Sequence, residues 1–246
     1  MLDNINIENI LFLDVETVPQ VFEYEKLDDV RKKLWDSRFR FLQNETPEMH
    51  YKKAGIYAEF AKIVCISVGR ISGKSIRIKS FCGEEEKIIL QEFSAFLKKT
   101  FSVPFKKKES KSMNKNAFSL CAHNGKEFDF PFIARRLLIN GFSLPECLDI
   151  GGKRPWETDH LLDTLELWKF GDYKNYTSLN LLASVFGIET PKDDMDGSEV
   201  AGVFYLEKNI ERIRKYCQKD VLTVIRLFLR FKGEPNFENN YLIEEN

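Results

Sequence analysis

Asp14 and Glu16 stand two residues apart where a nearly continuous apolar run, residues 7–15, comes to an end. If that run is a strand buried on both faces, period 2 puts the two acids on one face and Val15 on the other. A buried carboxylate costs free energy unless it is paired or bound to a metal. Acids at inward positions are therefore the place to look for chemistry. An Asp-x-Glu pair alone says little, because it arises roughly once in a chain of this size. Its ordinary reading is two solvated acids at a strand-end turn. Asp129 follows in His123-Asn124-Gly125-Lys126-Glu127-Phe128-Asp129, where a strand gives way to a loop and a helix starts near Pro131. Its ordinary role there is a helix N-cap. Asp220 is the most telling acid. Ile213, Tyr216, Asp220, Val224 and Leu227 recur at helical spacing, so Asp220 lies on an otherwise apolar stripe with Tyr216 one turn before it. The ordinary account is a buried Tyr–Asp pair; counted with the other acids, a metal site is favoured.

The elements that must position these groups are legible in outline. After the strand at 7–15, residues 25–45 read as a polar, aromatic-studded helix. Lys62–Ile71 and Ile76–Phe81 read as strands joined by a hairpin turn at Gly73-Lys74. Residues 84–100 open with three glutamates and close with two lysines, which suits the helix dipole. Phe118–Ala122 is a further strand, and a helix is expected over 131–140. Residues 158–168, 177–186 and 198–207 read as helical, and the strongest helix spans 209–231. The expected class is α/β with a mixed sheet. A single domain over 1–246 is expected, with a basic loop insertion at 102–117 and a loosely ordered acidic tail at 234–246. The insertion reads first as a solvated loop, and second as a basic flap touching phosphates.

The acids sit in motifs that resemble a known family. Phe12-Leu13-Asp14-Val15-Glu16-Thr17, then His123 to Asp129, then Tyr216-Cys217-Gln218-Lys219-Asp220 resemble the three ordered motifs of DEDD-type 3′→5′ exonucleases. The second motif has the form seen in proofreading domains of family B DNA polymerases, and the third is the tyrosine version (DEDDy). Leu162-Asp163-Thr164 and Ser178 to Ala183 also look like family connecting segments. The resemblance spans about residues 8–231 and implies a ribonuclease H-like fold, a mixed central sheet flanked by helices. No polymerase domain follows in this sequence, so the chain looks like a stand-alone exonuclease.

The resemblance implies two divalent cations, Mg²⁺ or Mn²⁺, held by Asp14, Glu16, Asp129 and Asp220. Asp14 would bridge the ions, Glu16 and Asp220 would complete the nucleophile side, and Asp129 would serve the leaving-group side largely through water. Tyr216, with an ordinary pKa of ~10, would orient the attacking water rather than deprotonate it. Thr17 and Asn124 would contact the terminal nucleotide; Phe128 could pack against it, although core packing is its ordinary role. His123 and His160 read as polar or core histidines, and Lys192 as a surface lysine.

Composition sets the remaining bounds. Lys and Arg number 37 against 38 Asp and Glu, a formal net charge of −1, which argues against holding nucleic acid by bulk positive charge. Near-neutrality fits brief handling of one strand end better than tight duplex binding. The apolar runs are too short to cross a bilayer and no secretory signal is visible, so no membrane partner is expected. The five cysteines show no pairing pattern, which reads as buried thiols in a reducing, cytoplasmic setting. The expected substrate is the 3′ end of single-stranded nucleic acid, DNA favoured over RNA. The alternatives are a ribonuclease D-like trimmer of RNA 3′ ends and a catalytically silent ribonuclease H-like binding module. No protein partner is expected.

Overall fold

Ile10, Leu11, Phe12 and Leu13 are all buried, because the strand they open has a neighbour on each edge and helices on both faces. The computed structural model describes residues 2, 5–102, 118–172, 176–188, 195–234 and 241–245. The basic segment after its first residue, 102, lies outside the described residues, as does Lys192. Six strands are described: β1 (Ile10–Pro19), β2 (Ala61–Ser72), β3 (Ser75–Cys82), β4 (Ser119–Ala122), β5 (Leu161–Asp163) and β6 (Tyr241–Glu245). The helices are α1 (Asp29–Phe39), α2 (Pro47–His50), α3 (Glu86–Thr100), α4 (Asp129–Ile139), α5 (Thr164–Lys169), α6 (Leu179–Val185), α7 (Val200–Gly202) and α8 (Ile210–Lys232). The sheet order is β5-β4-β1-β2-β3-β6. β1 runs antiparallel to β2 and parallel to β4, so the sheet is mixed, the arrangement expected of a ribonuclease H-like fold.

Alternation along β1 sorts its side chains. Leu11, Leu13 and Val15 join the core formed with α3 and α4. Ile10 and Phe12 join the core formed with Val221, Val224, Ile225 and Phe228 of α8. Asp14 and Glu16 continue this second series, toward α8. That helix lies close on the sheet because Gly69 of β2 has no side chain. A Cβ there would come within 2.7 Å of Val221 Cγ1 and 2.8 Å of Ile225 Cδ1.

α4 is fixed from the other side by a buried ion pair. Glu86 Oε1 accepts hydrogen bonds from the Ile63 N–H and from Arg136 Nε, both at 2.8 Å, while Arg136 Nη1 donates to the Ala58 carbonyl at 2.8 Å. Both side chains are buried, so each charge relies on the other and on these hydrogen bonds.

Several expectations need correction. β1 runs on to Pro19, which puts Asp14 and Glu16 in mid-strand rather than at its end. The helix expected over 25–45 is the shorter α1, started by Asp28, whose carboxylate accepts from the Arg31 N–H. Residues 158–168 are not one helix. Strand β5 comes first, and Asp163 then caps α5 through the N–H groups of Leu165 and Glu166. The helix expected over 198–207 is the single turn α7 followed by a π-type turn, Val203–Glu207. The acidic tail contributes β6, paired parallel to β3, where Arg214 of α8 meets Glu244 at 3.0 Å. Cys65 and Cys82 face each other across β2 and β3 and are joined as a disulfide; Cys121, Cys147 and Cys217 remain as buried thiols. The cysteines therefore carry no argument about compartment. Among the described residues no helix is long and apolar enough to cross a membrane.

Replacing Arg136 with Ala strands the Glu86 carboxylate in the core. It should cost roughly 3–5 kcal/mol in denaturant unfolding. A loss below about 1 kcal/mol would show that the pair does not anchor α4.

Candidate active site

Asp14 and Glu16 face the start of α4 and the middle of α8, near enough for Asp129 and Asp220 to act on Glu16 by their charge. The Asp14 and Glu16 carboxyl groups hydrogen-bond to each other. A ligand oxygen from each and the Cys217 sulfur all lie within 4.8 Å of one another. Burial pushes the Asp14 carboxyl up to about 6, opposed by the neighbouring Cys217 thiol, the Glu16 carboxyl and the Val15 N–H. Glu16 is raised well above the usual carboxylate range, first by burial and then by the charges of Asp14, Asp220 and Asp129. Asp129 is raised by burial and by Asp14, and held back by hydrogen bonds from its own N–H and that of Val15. That Val15 contact places the first residue of α4 against β1. Asp129 is thus not an N-cap: the cap position is Phe128, and Asp129 is the first helical residue, turned into the pocket.

Asp220 and Tyr216 are half-buried. They line the margin of the α8 stripe, whose centre is Cys217, Val221, Val224 and Ile225. The phenol hydrogen-bonds to Asp220, and burial with the charges of Asp220, Glu16 and Asp14 raises its pKa. Glu16 therefore feels the charges of Asp14, Asp220 and Asp129, and Tyr216 feels those of Asp220, Glu16 and Asp14. One carboxylate oxygen, Asp14 Oδ2, is buried with no hydrogen-bond partner.

A register break sits just past the acid pair. Glu16 pairs with Cys65, but Thr17 pairs with Ile63, so β2 carries an extra residue, Val64, at this point. Such bulges bend a strand and re-aim the side chains beyond them. Thr17 then donates its hydroxyl to the Gly55 carbonyl at 2.7 Å, and the end of β1 is held by Tyr205, whose hydroxyl donates to the Pro19 carbonyl at 2.5 Å.

The loop between β4 and α4 is held by a residue that sequence reasoning did not select for the site. Asp163, at the end of β5, is buried. Its Oδ1 accepts from the Asn124 N–H at 2.9 Å and the Leu165 N–H at 2.8 Å, and its Oδ2 accepts from the Lys126 N–H at 3.1 Å. One carboxylate thus fixes the turn leading to Asp129 and caps α5. Within that turn Asn124 adopts φ 61°, and a Cβ on Gly125 would lie 2.5 Å from the Ala122 Cβ, so the chain closes here only with glycine. His123 spans Thr164 Oγ1 at 3.0 Å and the Thr177 carbonyl at 2.9 Å. Burial lowers its pKa, so the neutral ring donates through Nε2 and accepts through Nδ1. It is a pin between loops, in line with its ordinary reading. His160 is likewise buried, with Nε2 on the Cys147 carbonyl at 3.0 Å. Phe128 is half-buried, its ring 5.2 Å from Phe132. Cys217 is the other unselected neighbour: its thiol donates to the Asp14 carbonyl at 3.4 Å, and burial keeps it protonated. The signal for Cys217 lay in its place on the inward face of the last helix. For Asp163 it was an acid on a short apolar stretch, Leu161-Leu162-Asp163-Thr164-Leu165.

A family model described as a predicted 3′-5′ exonuclease related to the exonuclease domain of PolB matches residues 56–240. The chain matches no curated protein. The matched span carries Asp129, Tyr216 and Asp220. Asp14 and Glu16 lie before it and join them through β1, the strand between β2 and β4.

Two outcomes follow from the electrostatics. A carboxyl with a higher pKa in the folded chain than in the unfolded one binds its proton more tightly when folded. Without divalent ions, stability carried by Asp14 should therefore fall as pH rises from about 4 through about 6. Mg²⁺ or Mn²⁺ should raise the melting temperature, and by more at about pH 7.5 than at about pH 5, since binding requires the deprotonated acids. A pH-independent metal shift would rule out this cluster as its origin. Asp163→Asn replaces a charged acceptor of several N–H groups with an amide; it should destabilise the chain by about 1–3 kcal/mol and shrink the metal-induced shift. An unchanged metal shift would mean that Asp163 does not position Asp129.

Proposed function

The chain belongs to the family of predicted 3′-5′ exonucleases related to the exonuclease domain of PolB, and on that premise we propose that it removes nucleotides from the 3′ end of single-stranded DNA by hydrolysis supported by two divalent cations. The observation that carries this reading is the close pair Asp14 and Glu16, with Asp129 and Asp220 near enough to add their charge to Glu16 and with an unpartnered buried oxygen, Asp14 Oδ2. Carboxylate oxygens, beside a Cys217 thiol that burial keeps protonated, fit hard cations such as Mg²⁺ or Mn²⁺. Asp14, Glu16, Asp129 and Asp220 would hold them. When bound, such ions supply hydroxide at neutral pH and stabilise the departing oxyanion.

The chain's own groups do the rest. Tyr216 commits its one proton to Asp220, which leaves the phenolic oxygen as an acceptor. It can therefore fix the direction of an attacking water through the water's O–H. It does not take the proton, because its surroundings disfavour phenolate. Asn124 spends its backbone N–H on Asp163, so its side chain is what it offers a terminal nucleotide. Thr17 keeps acceptor capacity after donating to Gly55. Phe128 sets its half-buried ring against Phe132 and the core.

Asp14→Ala should abolish Mg²⁺-dependent shortening of an oligonucleotide with an accessible 3′ end; full activity in the variant would end the metal assignment. Tyr216→Phe should slow turnover and keep the metal-induced rise in melting temperature, and loss of that rise would mean the tyrosine has another role. Digestion of 3′-blocked and unblocked DNA and RNA, with Mg²⁺ and with chelator, tests the substrate. Preference for RNA would replace the DNA reading, and no shortening of either would leave a binding module.

A further inference from the structure

Tyr176 is 64% exposed and stands against His123, beside the turn that leads to Asp129. Its ring meets the His123 ring edge-on, centroids 6.2 Å apart at 66°. His123 is itself held between α5 and the Thr177 carbonyl, and it directly precedes Asn124 and the turn to Asp129. Burial and then the charges of Asp129, Asp163, Asp14 and Asp220 raise the Tyr176 phenol, in keeping with that position beside the turn. Among the described residues, the two other aromatic groups nearest the acids are committed elsewhere. Phe128 packs on Phe132, and Tyr216 is tied to Asp220.

We propose that Tyr176 is a stacking platform for the base of the 3′-terminal nucleotide, braced by His123, and so holds the end of the strand while the adjacent phosphodiester lies over the carboxylates. Every base has a π-face, so such a platform is indifferent to sequence and serves a strand end of any composition. It also requires the terminal base to be unpaired and turned out of a duplex, which selects single-stranded ends. The inference rests on the exonuclease reading and adds to it the group that recognises the base.

The test uses the full chain with oligodeoxynucleotides and oligoribonucleotides carrying 2-aminopurine at the 3′ or the 5′ terminal position. With chelator present, so that nothing is cut, the wild-type chain should quench the 3′ probe and not the 5′ probe. Tyr176→Ala should lose the quenching, and Tyr176→Phe and Tyr176→Trp should retain it. With Mg²⁺, Tyr176→Ala should raise KM roughly 5- to 100-fold, the size expected for one base–aromatic stack, with a smaller change in kcat. On a substrate ending in an abasic sugar, the same substitution should change KM by less than about twofold. Equal loss on both ends, failure of Phe to rescue, or no 3′-specific quenching by the wild-type chain overturns the proposal. Quenching that depends on Tyr176 in a chain that shortens neither polymer would overturn the exonuclease reading and leave the platform standing. Shortening with quenching indifferent to Tyr176 would do the reverse.

Discussion

Crowding of carboxylates away from water is the constraint on which the remaining structure depends. Burial pushes Asp14, Glu16 and Asp129 each toward the protonated state; the charges of Asp14, Asp220 and Asp129 push Glu16 further, and that of Asp14 pushes Asp129 further. Left alone, such a group would spread apart or draw in water. It persists because each acid sits on an element fixed by contacts outside the pocket. β1 is paired on both edges, α8 is packed on β2 at Gly69, and α4 is tied by Arg136 to Glu86. The stable parts of the fold thus hold together groups that repel each other, and that arrangement makes a cation the natural fourth party.

Asp163 shows how a buried acid can serve structure rather than chemistry. Its carboxylate is nearly filled by backbone N–H donors, whereas Asp14 keeps a buried oxygen without a partner. The two are both aspartates on strands beside the same loop. What separates them is that Asp163 has N–H donors on both oxygens, while Asp14 leaves one oxygen bare. The same logic separates His123, pinned at both ring nitrogens, from a metal-binding histidine.

Much of the architecture was legible along the chain because burial imposes periodicity. The apolar run into Asp14, the hairpin at Gly73 and the amphipathic α3 and α8 all fall close to their expected bounds. Where short segments lack a full period, the reading failed: β5 and α5 were one helix by spacing, and α7 with its π-type turn was another. The tail could not be read as a strand at all, since β6 gains its pairing only from the open edge of β3. The Cys65–Cys82 bond was equally invisible, because it depends on register across two strands.

The near-neutral balance of 37 bases and 38 acids is also easier to interpret with the site in view, since four of the acids converge on one pocket instead of opposing a polyanion over the whole surface. By itself the sequence determined which residue types were present in which order, and hence the acid set Asp14, Glu16, Asp129, Asp220 with Tyr216. Chain order and spacing suffice for that, because each motif is local. Only the tertiary structure decided that Asp14 and Glu16 face α8, that Asp129 enters from a turn held by Asp163, and that Tyr176 packs against His123 beside that turn. Those relations join residues tens to hundreds of positions apart, and they are set by strand pairing, helix packing and a few buried hydrogen bonds that no local pattern encodes.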